Sequence, residues 1–325
     1  LGALKNGMIN EALEHTDPLV QVHGMRILKE MPSLSAEYQQ KLLAIIANSE
    51  NPHVKRAIAE VLGHFPSASH LVPLMNLYSS TKAADTHLKY TAILAVQLNL
   101  KNASVLKSAI SLAPADKSQF KVLYSALLDL PSEDAADYLL ENLNTFDLGH
   151  SERIKITAYL ARSISSERFD RFIKFIKGDY ATKNKSELEI IQAIEEGITQ
   201  RGGIVSKFFD NWIKNRAKSI LSDYSEADTF DAQEHAEPLI WAIDKIGLFQ
   251  IDAFQPKLRA IFSNRELPLD MRVASAIALL KIDRNANLND LLGGYLSKEE
   301  TDEFKIAMTP VFDQIDKKVL SGLSS

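Results

Sequence analysis

The chain contains no cysteine. Disulfides, thiolate nucleophiles, zinc–thiolate sites and covalent c-type haem attachment are therefore excluded. Positive charge is not in excess either: 37 Lys and Arg stand against 42 Asp and Glu, for a formal net charge of −5 and a pI near 6.0. Gripping nucleic acid by its phosphates needs a concentrated basic face, and the sequence displays none, so no nucleic-acid partner is expected. No apolar run approaches the roughly 18 residues that cross a bilayer. No useful length alternates apolar and polar residues with period two, so strands are not expected. The glycine-rich phosphate loops, H-E-x-x-H and G-x-S-x-G are all missing. No basic-then-apolar leader precedes Leu1, and the sequence reads as a fragment of a longer polypeptide.

What is present is a repeat. Hydrophobic residues at 46% and charged residues at 24% are globular values, which argues against overall disorder. Within the 325 residues an apolar anchor recurs at Val20, Val54, Leu88, Phe120, Ile154, Leu188, Leu239, Met271 and Phe304, with gaps of 34, 34, 32, 34, 34, 51, 32 and 33. Apolar or small residues follow most anchors three, four, seven and eight positions on, and the Leu188 anchor is loose by one residue, its helix fitting better from Glu187. After Val54 these are Ala57, Ile58, Val61 and Leu62. This is the period of a helix with one buried stripe.

Helix starts are marked as well. Asp17-Pro18 and Asn51-Pro52 pair a capping oxygen with a proline at the first helical position. Asp85, Asp116 and Ser151 are candidate caps without the proline. A second helical pattern lies between anchors, as in "AEYQQKLLAIIAN" (36–48) and "EDAADYLLENL" (133–143). Each unit is thus a helical hairpin, and stacked hairpins share a core that one alone cannot bury. A tetratricopeptide array has a similar period but places its proline at the end of the second helix. Here proline opens that helix, followed by an apolar residue and often a base, which resembles a short HEAT repeat. The expected fold is all-α: a HEAT-like, ARM-type right-handed superhelical solenoid of about nine hairpins.

The long gap between Leu188 and Leu239 divides the chain into residues 1–201, with six repeats, 202–237, read as a long inserted helix and an acidic loop, and 238–325, with the last three. Insertions in repeat arrays often map to the binding face. This one places Phe208, Phe209 and Trp212 on one side of a helix and Lys207, Lys214 and Lys218 on another. Core packing is the ordinary outcome of such a division. The sharper reading is an aromatic contact surface for a protein or a sugar ring, with Tyr224, Phe230 and Trp241 as neighbours. Asp223, Glu226, Asp228, Asp231, Glu234 and Glu237 read as a solvated acidic loop without EF-hand spacing. His53 and His87 share one repeat position but lack a third ligand, and read as exposed polar residues. Arg201-Gly202-Gly203 reads as a helix stop rather than a phosphate cradle. No catalytic, cofactor or metal residue is expected.

Three stretches carry a resemblance: "LGALKNGMINEALEHTDPLVQVHGMRILKEM", "DTHLKYTAILAVQLNL" and "DLPSEDAADYLLENLNTFDLGHSERIKITAYLAR". They lie within residues 1–165 and make up about half of that span. They are similar to the HEAT segment of large exported proteins of Planctomycetes, Verrucomicrobia and Bacteroidetes. Those proteins join a sugar-dehydrogenase-like β-propeller to this segment and a c-type cytochrome domain, and some carry a 3-keto-disaccharide hydrolase domain. The resemblance implies an exported, periplasmic setting in sugar oxidation or glycan processing. With no C-x-x-C-H and no propeller strands, it makes the chain the helical connector alone. The functional expectation is a non-enzymatic scaffold contacting proteins or neighbouring domains. The alternatives are a carbohydrate-binding surface on the 204–241 aromatics and a HEAT-like DNA glycosylase, which the net charge opposes.

Overall fold

The computed structural model describes residues 6–111, 117–143, 149–180, 187–224 and 232–313. These residues form eighteen α-helices and no strand. The first ten are α1 (Asn6–Leu13), α2 (Pro18–Lys29), α3 (Ala36–Asn48), α4 (Pro52–His64), α5 (Ala68–Ser80), α6 (Thr86–Leu100), α7 (Ala103–Ser111), α8 (Lys117–Leu127), α9 (Glu133–Asn142) and α10 (His150–Ser163). Then come α11 (Ser166–Tyr180), α12 (Glu187–Gln200), α13 (Lys207–Asp223) and α14 (Ala232–Leu248). A single 3-10 turn (Asp252–Phe254) precedes α15 (Gln255–Ser263), α16 (Leu269–Ile282), α17 (Arg284–Tyr295) and α18 (Asp302–Asp313). All nine anchors fall in even-numbered helices.

Helix starts follow from side-chain chemistry. Asp17 Oδ1 accepts from the Leu19 N–H at 2.9 Å, and Asn51 Oδ1 from the His53 and Val54 N–H groups at 2.9 and 3.3 Å. Asp85 caps α6 through the Leu88 N–H at 3.0 Å. Each such cap satisfies an amide that the helix leaves without a partner. Asp116 lies outside the described residues. At α10 the expectation needs correction: Ser151 is inside the helix and Gly149 occupies the cap position. The Glu152 carboxylate accepts from the Gly149 N–H at 2.9 Å, the bond that the third helical residue makes in a capping box.

Contacts divide the chain into two compact units, Leu1–Phe172 with Gln192–Ile204, and Ile173–Ile191 with Val205–Ser325. In the first unit α4 packs between α2 and α6, while α5 packs on α3, α6, α7 and α8. The buried face of α4 is Val54, Ala57, Ile58, Val61 and Leu62, the stripe read from the sequence. Burying each large aliphatic side chain contributes roughly 1.5–3 kcal/mol. Polar staples reinforce the seams. Asn99 of α6 donates to the Leu62 carbonyl at 3.0 Å, and Arg162 of α10 to the Leu128 carbonyl at 3.1 Å. Arg201 donates to the Ala161 and Ile164 carbonyls at 3.2 and 2.8 Å. In every case a side chain late in one hairpin satisfies carbonyls at the end of the previous second helix, where no intrahelical donor remains.

In the second unit α14 packs on α13 and α16, and α16 also contacts α15, α17 and α18. The 51-residue gap adds no helix to the pattern. It is absorbed by α13 and α14, at 17 residues each, and by the segments around them. Residues 207–223 are therefore the first helix of the seventh hairpin. Helix α14 begins before its anchor Leu239 and runs through Pro238, forgoing one backbone hydrogen bond. The preceding helix ends as expected at the glycine pair. Gly202 and Gly203 have φ of +86° and +101°, and the Gly203 N–H reaches back to the Ile198 carbonyl at 2.9 Å, closing α12 in the manner of a Schellman cap.

Candidate functional site

Phe208, Phe209, Trp212, Tyr224 and Trp241 belong to the second unit. Helix α13 is started by Ser206, whose Oγ accepts from the Phe209 N–H at 3.1 Å. Its apolar side carries Phe209 and Trp212, 3% and 2% exposed, packed edge to face with centroids 6.2 Å apart. Trp212 still needs a partner for its indole N–H. It donates to Glu187 Oε1 at 2.7 Å, at the start of α12. The other oxygen of Glu187 lies 3.4 Å from Arg216 Nε, close enough for an ion pair but not aligned as a hydrogen bond. Trp241, on α14, is 9% exposed. These three rings are core.

Phe208 and Tyr224 are half-buried. Phe208 lies one step round the helix from the buried face. The ammonium groups of Lys174 and Lys177, on α11, sit 5.4 and 5.6 Å from its ring centroid, and Lys177 is also 5.8 Å from Trp212. Tyr224 follows the end of α13. Lys257 of α15 lies 5.6 Å from its ring and donates to the carbonyls of Ser222 and Tyr224, neutralising the negative end of the helix. Lys245 lies 5.8 Å from Trp241, and Lys214 lies 4.6 Å from Phe249. Of the described rings of the expected set, Phe208, Trp212, Tyr224 and Trp241 each carry a lysine. Phe230 lies outside the described residues.

Neither a protein-family model nor a curated protein matches the chain.

Other residues singled out in the sequence fall as follows. His53 and His87 are exposed at helix starts. Asp223 accepts from Ser219 Oγ at 3.3 Å and Glu237 is exposed. Glu226, Asp228, Asp231 and the side chain of Glu234 lie outside the described residues. Among the described residues no group of three or more His, Asp or Glu converges as metal ligands would.

Two buried sites holding Arg, Glu or His side chains escaped the sequence reading. The first is the pair Arg272–Glu300, with side chains 6% and 5% exposed. Arg272 donates to Glu300 Oε1 at 2.6 Å and to the Phe262 carbonyl at 2.9 Å, while its guanidinium stacks 4.1 Å above Phe304. Burial raises the Glu300 carboxyl, but hydrogen bonds and charge from Arg272 and Arg265 outweigh it and hold the group below its ordinary value of 4.5. The second is His70 on α5, 1% exposed. Its Nδ1 faces the Leu62 carbonyl at 3.2 Å and its Nε2 meets no polar atom. Burial lowers its pKa from 6.5, against opposing hydrogen bonds from the Leu62 and Phe65 backbone and the Asn99 side chain. No local signal marks either group, because both are buried by helices distant in sequence. Neither is arranged for proton transfer: one carboxylate is bracketed by guanidiniums, and the imidazole faces backbone.

Proposed function

We propose that the chain is a HEAT-like solenoid of nine helical hairpins, working as a non-enzymatic scaffold that holds neighbouring domains or a partner protein in fixed geometry. The observation that carries this reading is the alternation of packing. Second helices lie against second helices, as α4 does between α2 and α6, and α16 between α14 and α18. Such stacks share one apolar seam and present long side surfaces, the usual resource of repeat proteins that bind other proteins. Two further features support a binding role over a chemical one. The buried ionisable groups are paired or isolated, and exposed apolar residues such as Tyr90 and Leu248, 67% and 56% exposed, stand on second helices. The resemblance of residues 1–165 supports an exported, periplasmic setting near sugar chemistry.

The carbohydrate alternative draws less support. A sugar stacks on a bare ring face, whereas lysine ammonium groups overlie Phe208, Tyr224 and Trp241.

A photo-reactive amino acid placed singly at Tyr90, Leu248 and Ile277, in the protein within its own cells, tests the scaffold reading. Protein adducts of one recurring mass, reproduced with the purified partner, are expected. No protein adduct at any position, or substrate turnover by the purified chain, overturns it.

A further inference from the structure

The lysines of α11 and α13 stand close together in one unit without acidic partners among the described residues. Several bases of this protein find acids: Lys41 meets Glu14 at 2.6 Å, Arg168 meets Asp137 at 2.6 Å, Lys281 meets Asp244 at 2.9 Å and Arg265 meets Glu299 at 2.7 Å. In a chain with a net charge of −5 that is the expected condition. Lys174, Lys177, Lys207, Lys214 and Lys218 form no ion pair among the described residues, although all belong to one unit.

Three of them make a row. A helix turns about 100° per residue, so positions 207, 214 and 218 fall within about 40° of one another. The exposed residues beside them, Asn211, Asn215 and Ser222, are neutral. Asp210 flanks the row yet pairs with neither Lys207 nor Lys214. By helical rise the row spans about 16 Å. At its first turn stands Phe208, with Lys174 and Lys177 over its ring. An ammonium resting on a ring keeps donors turned outward, and the ring contact adds only about 0.5–1 kcal/mol at exposed sites, so an anion can still be accepted.

We propose that this face of α13, with Lys174 and Lys177 beside it, is a docking surface for an acidic peptide segment of a partner protein. The proposal rests on the scaffold reading and names the chemistry of its partner. Charge complementarity selects acids. The Phe208 ring set among the cations suits a peptide that alternates carboxylates with apolar side chains. Duplex nucleic acid fits less well, because a long polyanion also feels the negative balance of the rest of the chain. A membrane surface fits less well too, since the row offers lysines but no apolar side chains to insert.

The test titrates a fluorescently labelled peptide of about twelve residues, alternating glutamate and leucine, against the whole chain and follows anisotropy. Binding is expected to weaken between about 50 and about 500 mM salt. The triple variant Lys207→Glu, Lys214→Glu, Lys218→Glu is expected to lose at least roughly tenfold in affinity, with an unchanged circular dichroism spectrum. A control triple, Lys101→Glu, Lys107→Glu, Lys121→Glu, alters exposed lysines of the other unit and is expected to bind as wild type. Equal losses in both triples, or no salt-sensitive binding by wild type, overturn the proposal. Tighter binding of duplex DNA or of anionic lipid vesicles than of the peptide also overturns it. Photo-adducts that persist in the first triple overturn this surface while sparing the scaffold reading, whereas an absence of adducts anywhere removes both.

Discussion

Gly197 on α12 lies so close to α10 that a Cβ placed on it would sit 2.3 Å from the Ala158 carbonyl oxygen and 2.6 Å from Ala161 Cβ. Close approaches of glycine to alanine occur at two other places, there with the glycine on the earlier helix. A Cβ on Gly247 would meet Ala278 Cα at 2.7 Å, and one on Gly63 would meet Ala95 Cα at 3.1 Å. Each glycine stands near the end of a second helix and faces an alanine seven residues after an anchor. Small residues facing each other let successive second helices approach closely. That approach brings Arg201 within reach of the α10 carbonyls.

Gly197→Ala is accordingly expected to destabilise the protein. Alanine gains about 1 kcal/mol of helix propensity, but the clash is with backbone and overpacking costs about 1–3 kcal/mol or more. Gly293→Ala is the control, because nothing lies within 4 Å of the added methyl and the helical gain stands alone. Denaturant midpoints of the two variants are expected to move in opposite directions. A raised midpoint for Gly197→Ala would falsify the close-approach account.

Arg272 and Glu300 form the most buried ion pair described, 28 residues apart in sequence. Removing one partner leaves a desolvated charge, which typically costs about 3–5 kcal/mol. Arg272→Met is expected to lose that much in chemical denaturation. Glu300→Gln is expected to lose less, because the amide oxygen still accepts from the guanidinium. The Glu300 pKa is held below 4.5 in the fold, so its contribution is fully present above pH 4.5 and is lost as pH falls through the folded value. The acid limb of the stability curve is therefore expected to be shallower in Glu300→Gln. Superimposable limbs would remove this assignment.

His70 contributes with the opposite chemistry. Its pKa is lowered from 6.5 by burial, so the unfolded chain takes up a proton before the folded one does. Stability is then lost as pH falls from 6.5 toward the folded pKa, and above that window the titration makes no contribution. His70→Phe removes the titration. The stability difference between wild type and variant is expected to shift in favour of the variant between pH 7 and 5. A difference independent of pH would show that His70 does not titrate with folding.

Asn51 accepts from two backbone amides at the start of α4. Asn51→Ala is expected to cost about 1 kcal/mol, measured by equilibrium unfolding, and Asn51→Asp is expected to be close to neutral. If Asn51→Ala leaves stability unchanged, water satisfies those amides instead.

The helices were legible in the residues because their causes are local. The anchor spacing, the proline-capped starts at Asp17 and Asn51, and the glycine stop at 202–203 act through the backbone within one or two turns. They yielded an all-helical chain with each anchor in a second helix. The fate of the 204–241 aromatics was not legible. Phe208 and Phe209 are adjacent and chemically alike, yet Phe209 is 3% exposed while Phe208 is half-buried beneath two lysines. Which of them meets the core depends on how far α13 is rotated against its neighbours, and no single helix contains that angle. The Ser151 cap failed for a smaller reason: the helix starts at His150, so Ser151 already lies inside it and Gly149 holds the cap position, with Glu152 accepting from the Gly149 N–H.

The sequence by itself therefore determined that the chain is helical, where most of its helices lie and which residues form stripes such as that of α4, since those depend on φ, ψ and side-chain periodicity along a continuous stretch. Only the tertiary structure decided which charges are paired and which stand open. Arg272 and Glu300 are joined, and the α13 lysines are left without acids, by distances between helices that the order of residues does not state.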